Sequence, residues 1–269
     1  MRTFYLIAFL VLTALQTAVA QQQPSRPASP RAVEKKGILY NSSLAFGGQL
    51  YTNGWSAHME WARINTLHRR NFYHVEIGQL RHTKETRQPS IYDNRGISYS
   101  AINPPKPFVF GKRNNFYQLN LSRGQERMIG QRAAKSGVEV SFKYMAGFSL
   151  GIVKPYYLQY FIPTDISGES IFTEGKYSDE SRPYFLNRSS IYGSARFTRG
   201  LNESSFIPGG HVKAGLKFDW AFFDEYIKAL EVGAVVDIYP RRVPIMILDN
   251  NPRVLPNLYL GIQLGKKKA

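Results

Sequence analysis

The stretch VKAGLKFDW, residues 212–220, reads in two rows. Val212, Ala214, Leu216, Phe218 and Trp220 fall on one side; Lys213, Gly215, Lys217 and Asp219 fall on the other. A helix would spread these residues around its circumference, whereas a strand, with its period of two, separates them. The same alternation recurs in both directions along the chain. LEVGAVVDI (230–238) sets Leu230, Val232, Ala234, Val236 and Ile238 against Glu231, Gly233 and Asp237, and LYLGIQLG (258–265) repeats the pattern. Towards the N-terminus it returns in VEVSFKY (138–144), FYQLNLS (116–122), FYHVEIGQ (72–79) and WSAHMEWA (55–62). No convincing long helical period follows residue 37. The chain is therefore expected to be all-β and antiparallel, with one apolar row per strand.

Alternation does not say which row is wet. A soluble barrel or sandwich buries the apolar row; a transmembrane barrel turns it outward to lipid. The polar rows here are rich in Gly, Ser, His, Asn and Gln, with scattered charges of both signs, as a narrow packed lumen requires. His58, Glu60, His74, Glu76, Glu139, Lys143, Lys213, Lys217, Asp219, Glu231 and Asp237 are expected to form that polar and ionic filling. Aromatic residues at segment ends, Phe72, Tyr73, Phe116, Tyr117, Phe218, Trp220, Phe222 and Phe223, suit a girdle at the membrane interface.

The connections complete the expectation. Strands are assigned to 38–51, 54–64, 71–83, 107–112, 115–124, 137–147, 150–162, 208–222, 226–239 and 256–265. This is a transmembrane up-and-down barrel of about ten strands, with eight to twelve admissible. With the N-terminus in the periplasm, the inward turns (65–70, 113–114, 148–149, 223–225) are short. The outward loops (84–106, 125–136, 163–207, 240–255) are long, apart from the tight Thr52-Asn53-Gly54 turn. Two segments, RRNFYHVEIGQLR (69–81) and RNNFYQLNLSRGQ (113–125), echo each other and suggest one hairpin design used twice.

The N-terminal segment carries an address. Arg2, the apolar run Phe4–Leu15 and Ala18-Val19-Ala20 read as a secretory signal peptide over 1–20, cleaved after Ala20. Residues 21–36, with Pro24, Pro27 and Pro30, read as a disordered lead-in to a barrel domain over 37–269. Lys and Arg number 35 against 19 Asp and Glu, a net charge of +16. Such a balance often marks nucleic-acid binding, but export argues against that partner. Bases instead gather at connections (His68-Arg69-Arg70, Lys112-Arg113, Arg123 to Arg132, Arg241-Arg242, Lys266 to Lys268), where outer-membrane lipids and lipopolysaccharide phosphates would meet them.

Two long stretches, FGKRNNFYQLNLSRGQERMIGQRAAKSGVEVSFKYMAGFSLGIVKPYYL (110–158) and KALEVGAVVDIYPRRVPIMILDNNPRVLPNLYLGIQLGKKK (228–268), resemble a largely uncharacterised family of outer-membrane β-barrel proteins from Bacteroidota. The matching motifs are Lys154-Pro155-Tyr156-Tyr157-Leu158, Ala229-Leu230-Glu231 and Pro244-Ile245-Met246. The resemblance implies fold and location and supplies no catalytic residues. The chain departs from the frequent aromatic ending of outer-membrane proteins, since it closes on Gly265-Lys266-Lys267-Lys268-Ala269.

Signals for catalysis are weak. The absence of cysteine excludes a thiolate metal site, a cysteine nucleophile and a disulfide framework. Neither a phosphate-cradling glycine loop nor a His-Glu-x-x-His pair is present. His82, Thr83 and Glu85 form the one local cluster suited to a rim enzyme acting on lipid A or peptides, and they match no such motif. The expectation is a barrel without enzymatic activity, cofactor or metal, structural or an accessory subunit of a larger assembly. A small solute pore is the transport alternative, and a soluble periplasmic β protein the architectural one. Loops 84–106 and 163–207, with Tyr177, Tyr184, Phe185 and Tyr192, are the expected partner surface.

Overall fold

The computed structural model describes residues 40–66, 68–92, 104–131, 137–163, 170–221, 225–247 and 251–268. The expected signal peptide and lead-in, together with Phe222 and Phe223, lie outside the described residues.

Eight strands close into an antiparallel barrel: β1 (Ser42–Tyr51), β2 (Gly54–Thr66), β3 (Arg69–Leu80), β6 (Asn114–Gly130), β7 (Glu139–Pro155), β11 (Ser205–Asp219), β12 (Tyr226–Ile238) and β13 (Val254–Lys268). Around the barrel the order is β1-β13-β12-β11-β7-β6-β3-β2, and closure comes from β1 on β13, in register from Tyr51 opposite Tyr259 to Ser42 opposite Lys268. Closure leaves no sheet edge, so every strand finds its backbone partners within the barrel.

Eight strands replace the expected ten for two reasons. Residues 107–112 contribute only β5 (Phe108–Val109), which pairs with β4 (Arg87–Gln88) in a separate two-stranded ribbon. Residues 148–149 make no turn. β7 runs through them, and its inward row (Ser141, Lys143, Met145, Ser149, Val153) keeps its phase from end to end. The chain leaves the barrel after Pro155 instead. There β8 (Tyr157–Pro163) pairs with β9 (Ser170–Lys176) and β10 (Ile191–Ser194) in a three-stranded sheet.

The alternation of connection length survives this correction. One end of the barrel carries the short links 67–68, 131–138 and 220–225; the other carries the tight 52–53 turn and the longer segments 81–113, 156–204 and 239–253. Segment 125–136 thus belongs to the short-link end, and 113–114 opens β6 at the long-link end.

The echoed segments prove to be neighbours. β3 and β6 pair antiparallel, with Phe72 opposite Gly124 and Leu80 opposite Phe116. Each Asn-Phe-Tyr opens a strand, one at each end of the barrel, and each Phe turns inward while the Tyr beside it faces out. Phe72 and Phe116 are each 1% exposed, so they are lumen residues and not interface aromatics. Tyr73, Tyr117, Phe218 and Trp220 do lie on the outer row.

Gly124 makes room for Phe72. A Cβ there would collide with Phe72 Cζ and lie 2.6 Å from both Met145 Cβ and the Tyr144 carbonyl oxygen. Gly124→Ala is expected to destabilise the barrel by about 1–3 kcal/mol through overpacking. Gly48→Ala, whose Cβ meets nothing closer than 3.9 Å, should leave stability unchanged. The urea midpoints of the two variants decide it.

Candidate functional site

The strand pattern places two opposed surfaces, and both come from the same alternation. The outward rows are apolar. Trp55 and Trp61 on β2, Val75 and Ile77 on β3, Phe148 on β7, Val212 and Leu216 on β11, and Leu258, Leu260, Ile262 and Leu264 on β13 are all well exposed. A contiguous apolar band of this extent is rare on a water-soluble surface. Aromatics bound the wall at the short-link end, where Trp61, Tyr73, Tyr144, Trp220 and Tyr226 gather, and at the long-link end, where Trp55, Tyr117 and Phe206 stand.

The inward rows carry the ions. Lys143 Nζ lies 2.5 Å from Glu60 Oε2 and 2.6 Å from Glu231 Oε1, drawing together strands that are not neighbours. His74 lies between Glu60 (3.5 Å) and Glu76 (3.1 Å), and its ring stacks on His58 with centroids 4.7 Å apart. Lys213 donates to Glu76 at 2.8 Å and to the Tyr51 hydroxyl at 3.1 Å, contacts Gln49, and sits 4.4 Å from the Tyr259 ring centroid. Towards the short-link end, Lys217 meets Glu126 at 3.2 Å, and Arg70 spans Glu126 (3.2 Å) and Glu139 (3.0 Å). Buried charges persist only when paired and hydrogen-bonded. Here the cylinder brings together partners far apart in sequence.

The other expected lumen residues occupy simpler places. Asp219 accepts from the Ala221 backbone N–H at 2.9 Å, at the short-link rim. Asp237 accepts from the Ser149 hydroxyl, 3.4 Å away, in a group that also joins His211 to Ser149 (2.8 Å) and Ser122 (2.6 Å). Sequence reasoning missed Arg70, Glu126, Gln49, Tyr51 and Tyr259 as network members. Arg70 in particular was expected at a lipid-facing connection; it is 8% exposed and inside the barrel. Its position on the His74 and Glu76 row of β3 was the signal that could have found it.

A second feature closes the long-link end. Val243, Ile245 and Met246, from the segment between β12 and β13, fold across the mouth and pack with Leu80, Phe116, Val153, Ile207 and Tyr239. Backbone bonds hold this lid: Arg113 and Asn114 N–H groups donate to the Ile245 carbonyl at 2.9 and 3.1 Å, and the Asn114 side chain donates to the Pro244 carbonyl at 2.6 Å. Ion pairs thus occupy the lumen along its length, and apolar side chains of this segment pack over one mouth.

Outside the barrel, the sheet β10-β8-β9 has its own core of Phe108, Leu158, Tyr160, Phe185 and Ile191. Phe185 is fully buried and Tyr192 is 7% exposed, so these two serve packing and do not form a contact surface. The His82 cluster is a local turn, in which the His82 N–H donates to Glu85 Oε1 at 3.0 Å and the Lys84 N–H to His82 Nδ1 at 3.1 Å. Among the described residues, no group of three or more His, Asp or Glu is placed to hold a metal ion.

No protein-family model matches the chain, and no curated protein matches it in sequence. Solved structures of similar architecture include Neisserial surface protein A, at 9% identity over 84% of this chain and 95% of that one, with a TM-score of 0.38. Ail, the attachment invasion locus protein of Yersinia pestis, matches at 8% identity over 84% and 97%, also with a TM-score of 0.38. The N-terminal β-barrel domain of Pseudomonas aeruginosa OprF matches at 10% over 85% and 98%, with a TM-score of 0.35. At these scores the fold assignment rests on the strand register of this chain itself.

Proposed function

We propose that this chain is a non-catalytic integral protein of a Gram-negative outer membrane: a closed, plugged β-barrel that anchors a surface platform as an accessory subunit of a larger assembly. The observation that carries the reading is the inverted distribution of polarity, with apolar rows outside and ion pairs inside. In water this arrangement would expose the wall and bury the charges, which is unfavourable on both counts. In a bilayer the first term changes sign, because the wall meets hydrocarbon; the charges keep the same protein interior, where their ion pairs offset the cost of burial. The signal-like residues 1–20, cleaved after Ala20, supply the export route, and the resemblance to Bacteroidota outer-membrane barrels points the same way. Long links then lie outside the cell and short ones in the periplasm. The β10-β8-β9 sheet, with Ile171 and Phe172 half exposed on β9, is the platform offered to a partner protein.

Fractionation with a heat-modifiability gel tests location and closure. The protein is expected in the outer-membrane fraction, migrating faster before boiling than after. A periplasmic protein with no gel shift would sink the reading. Planar-bilayer recording tests the plug. Wild-type protein should give no steady conductance, because the ion network occupies the lumen and the Val243–Met246 lid packs over one mouth. Steady channel currents from folded protein would favour the pore alternative.

A further inference from the structure

The wall built by β3, β6 and β7 changes character at the long-link end. Cross-strand rows of outward residues run Val75–Leu121–Phe148, then Ile77–Leu119–Leu150, then Gln79–Tyr117–Ile152, and end on Asn115–Lys154. Apolar residues thus pass into polar and basic ones along one continuous surface. Residues within 79–87, 109–117, 154–157 and 194–197 line a cleft of about 390 Å³ against its upper edge. That volume suits a ligand of one or two sugar rings.

The cleft is strongly basic. Arg81, Arg87, Lys112, Lys154 and Arg196 line it against one acid, Glu85. Glu85 is already engaged, since Lys112 Nζ lies 2.6 Å from its Oε2 with both side chains buried. Among the described residues, no carboxylate lies within ion-pair distance of Arg81, Arg87, Lys154 or Arg196. Lys154 is only 4% exposed, with the Phe197 ring 4.5 Å from its ammonium. Burial, together with Arg81 and Arg87 close by, holds the Lys112 ammonium below the usual lysine range despite Glu85. An oxyanion with several acceptor oxygens would satisfy these forks and relieve the like-charge cluster. Tyr117 and Phe197 meet edge to face, centroids 6.2 Å apart, and offer apolar faces to the C–H side of a sugar ring.

We propose that this cleft binds the phosphate-bearing sugar headgroup of an outer-leaflet glycolipid, whose acyl chains lie along Ile77, Leu119 and Leu150. The assignment rests on reading the apolar wall as a membrane face, because that wall leads hydrocarbon directly to the basic cleft. A soluble sugar phosphate shares the headgroup chemistry but makes no use of the wall.

Native mass spectrometry of the membrane-extracted protein, in detergent micelles doped with bisphosphorylated lipid A, tests it. One lipid A is expected to stay bound to wild type, and its retention should fall about tenfold for the dephosphorylated lipid. Arg81→Gln/Arg87→Gln/Arg196→Gln, all at exposed positions, should lose retention to about the same degree. Lys154→Gln should weaken it as well. Arg63→Gln/Arg123→Gln/Lys228→Gln removes the same charge elsewhere on the outer wall and should retain the lipid. Equal retention by the first triple variant, or of the dephosphorylated lipid, overturns the proposal. So does a water-soluble bisphosphorylated disaccharide that binds as tightly as lipid A, since it would make the ligand a free sugar phosphate. A heat-modifiability gel on the same samples separates the two failures: a folded barrel that retains no lipid sinks only the cleft, whereas an unshifted, non-membrane protein sinks the barrel reading too.

Discussion

Lys143→Ala is expected to destabilise the barrel by about 3–5 kcal/mol, the characteristic cost of removing one partner from a buried ion pair. Lys143 Nζ is the shared counter-charge of Glu60 and Glu231, and all three side chains are no more than 4% exposed. Without it, two carboxylates face each other across the lumen with His74 and Gln49 as their remaining polar neighbours. Urea-induced unfolding in micelles, followed by tryptophan fluorescence and the gel shift, reads the effect. Lys143→Met/Glu60→Gln/Glu231→Gln should recover most of the loss, because it removes the charges together. A Lys143→Ala midpoint indistinguishable from wild type would mean that water replaces the ammonium, and the lumen would not be a dry plug.

Leu121→Arg carries the second large effect. Leu121 sits between Val75 and Phe148 in the middle of the outward rows and is 47% exposed. A wall in contact with hydrocarbon should lose about 2–4 kcal/mol on receiving arginine at mid-depth. The membrane-inserted fraction should fall accordingly. Leu201→Arg provides the comparison: Leu201 is also 47% exposed, but it lies in the 156–204 segment outside the barrel, so insertion should not change. If both variants insert like wild type, the wall faces water and the location is wrong.

The strand rows were legible because alternation is a local property. Lys213, Lys217 and Asp219 are assigned to one face by their spacing alone, as are Glu231 and Asp237. The strand count was less legible. Residues 148–149 read as an inward turn, although the phase from Phe142 and Tyr144 carries on through Phe148. Phe72 and Phe116 read as interface aromatics because they stand at segment ends. Position at a segment end outweighed row parity, and parity with His74 and Gln118 puts both rings inside.

Pairing within the lumen was not legible at all. Which carboxylate meets which ammonium depends on the circumference and stagger of the closed cylinder, and those follow from eight strands in one particular register. The lid and the basic cleft share this dependence, since Ile245 reaches Asn114 and Lys154 meets Phe197 only once distant loops fold back on the barrel. By itself, then, the sequence determined that this chain alternates as antiparallel strands, with an apolar row opposed to a charged one, because side-chain direction in a strand depends on the nearest neighbours alone. Only the tertiary structure decided that eight strands close, that Lys143 joins Glu60 to Glu231, and that bases from three separate segments converge in one cleft. Those are matters of distance between residues far apart in the chain, and no local spacing encodes them.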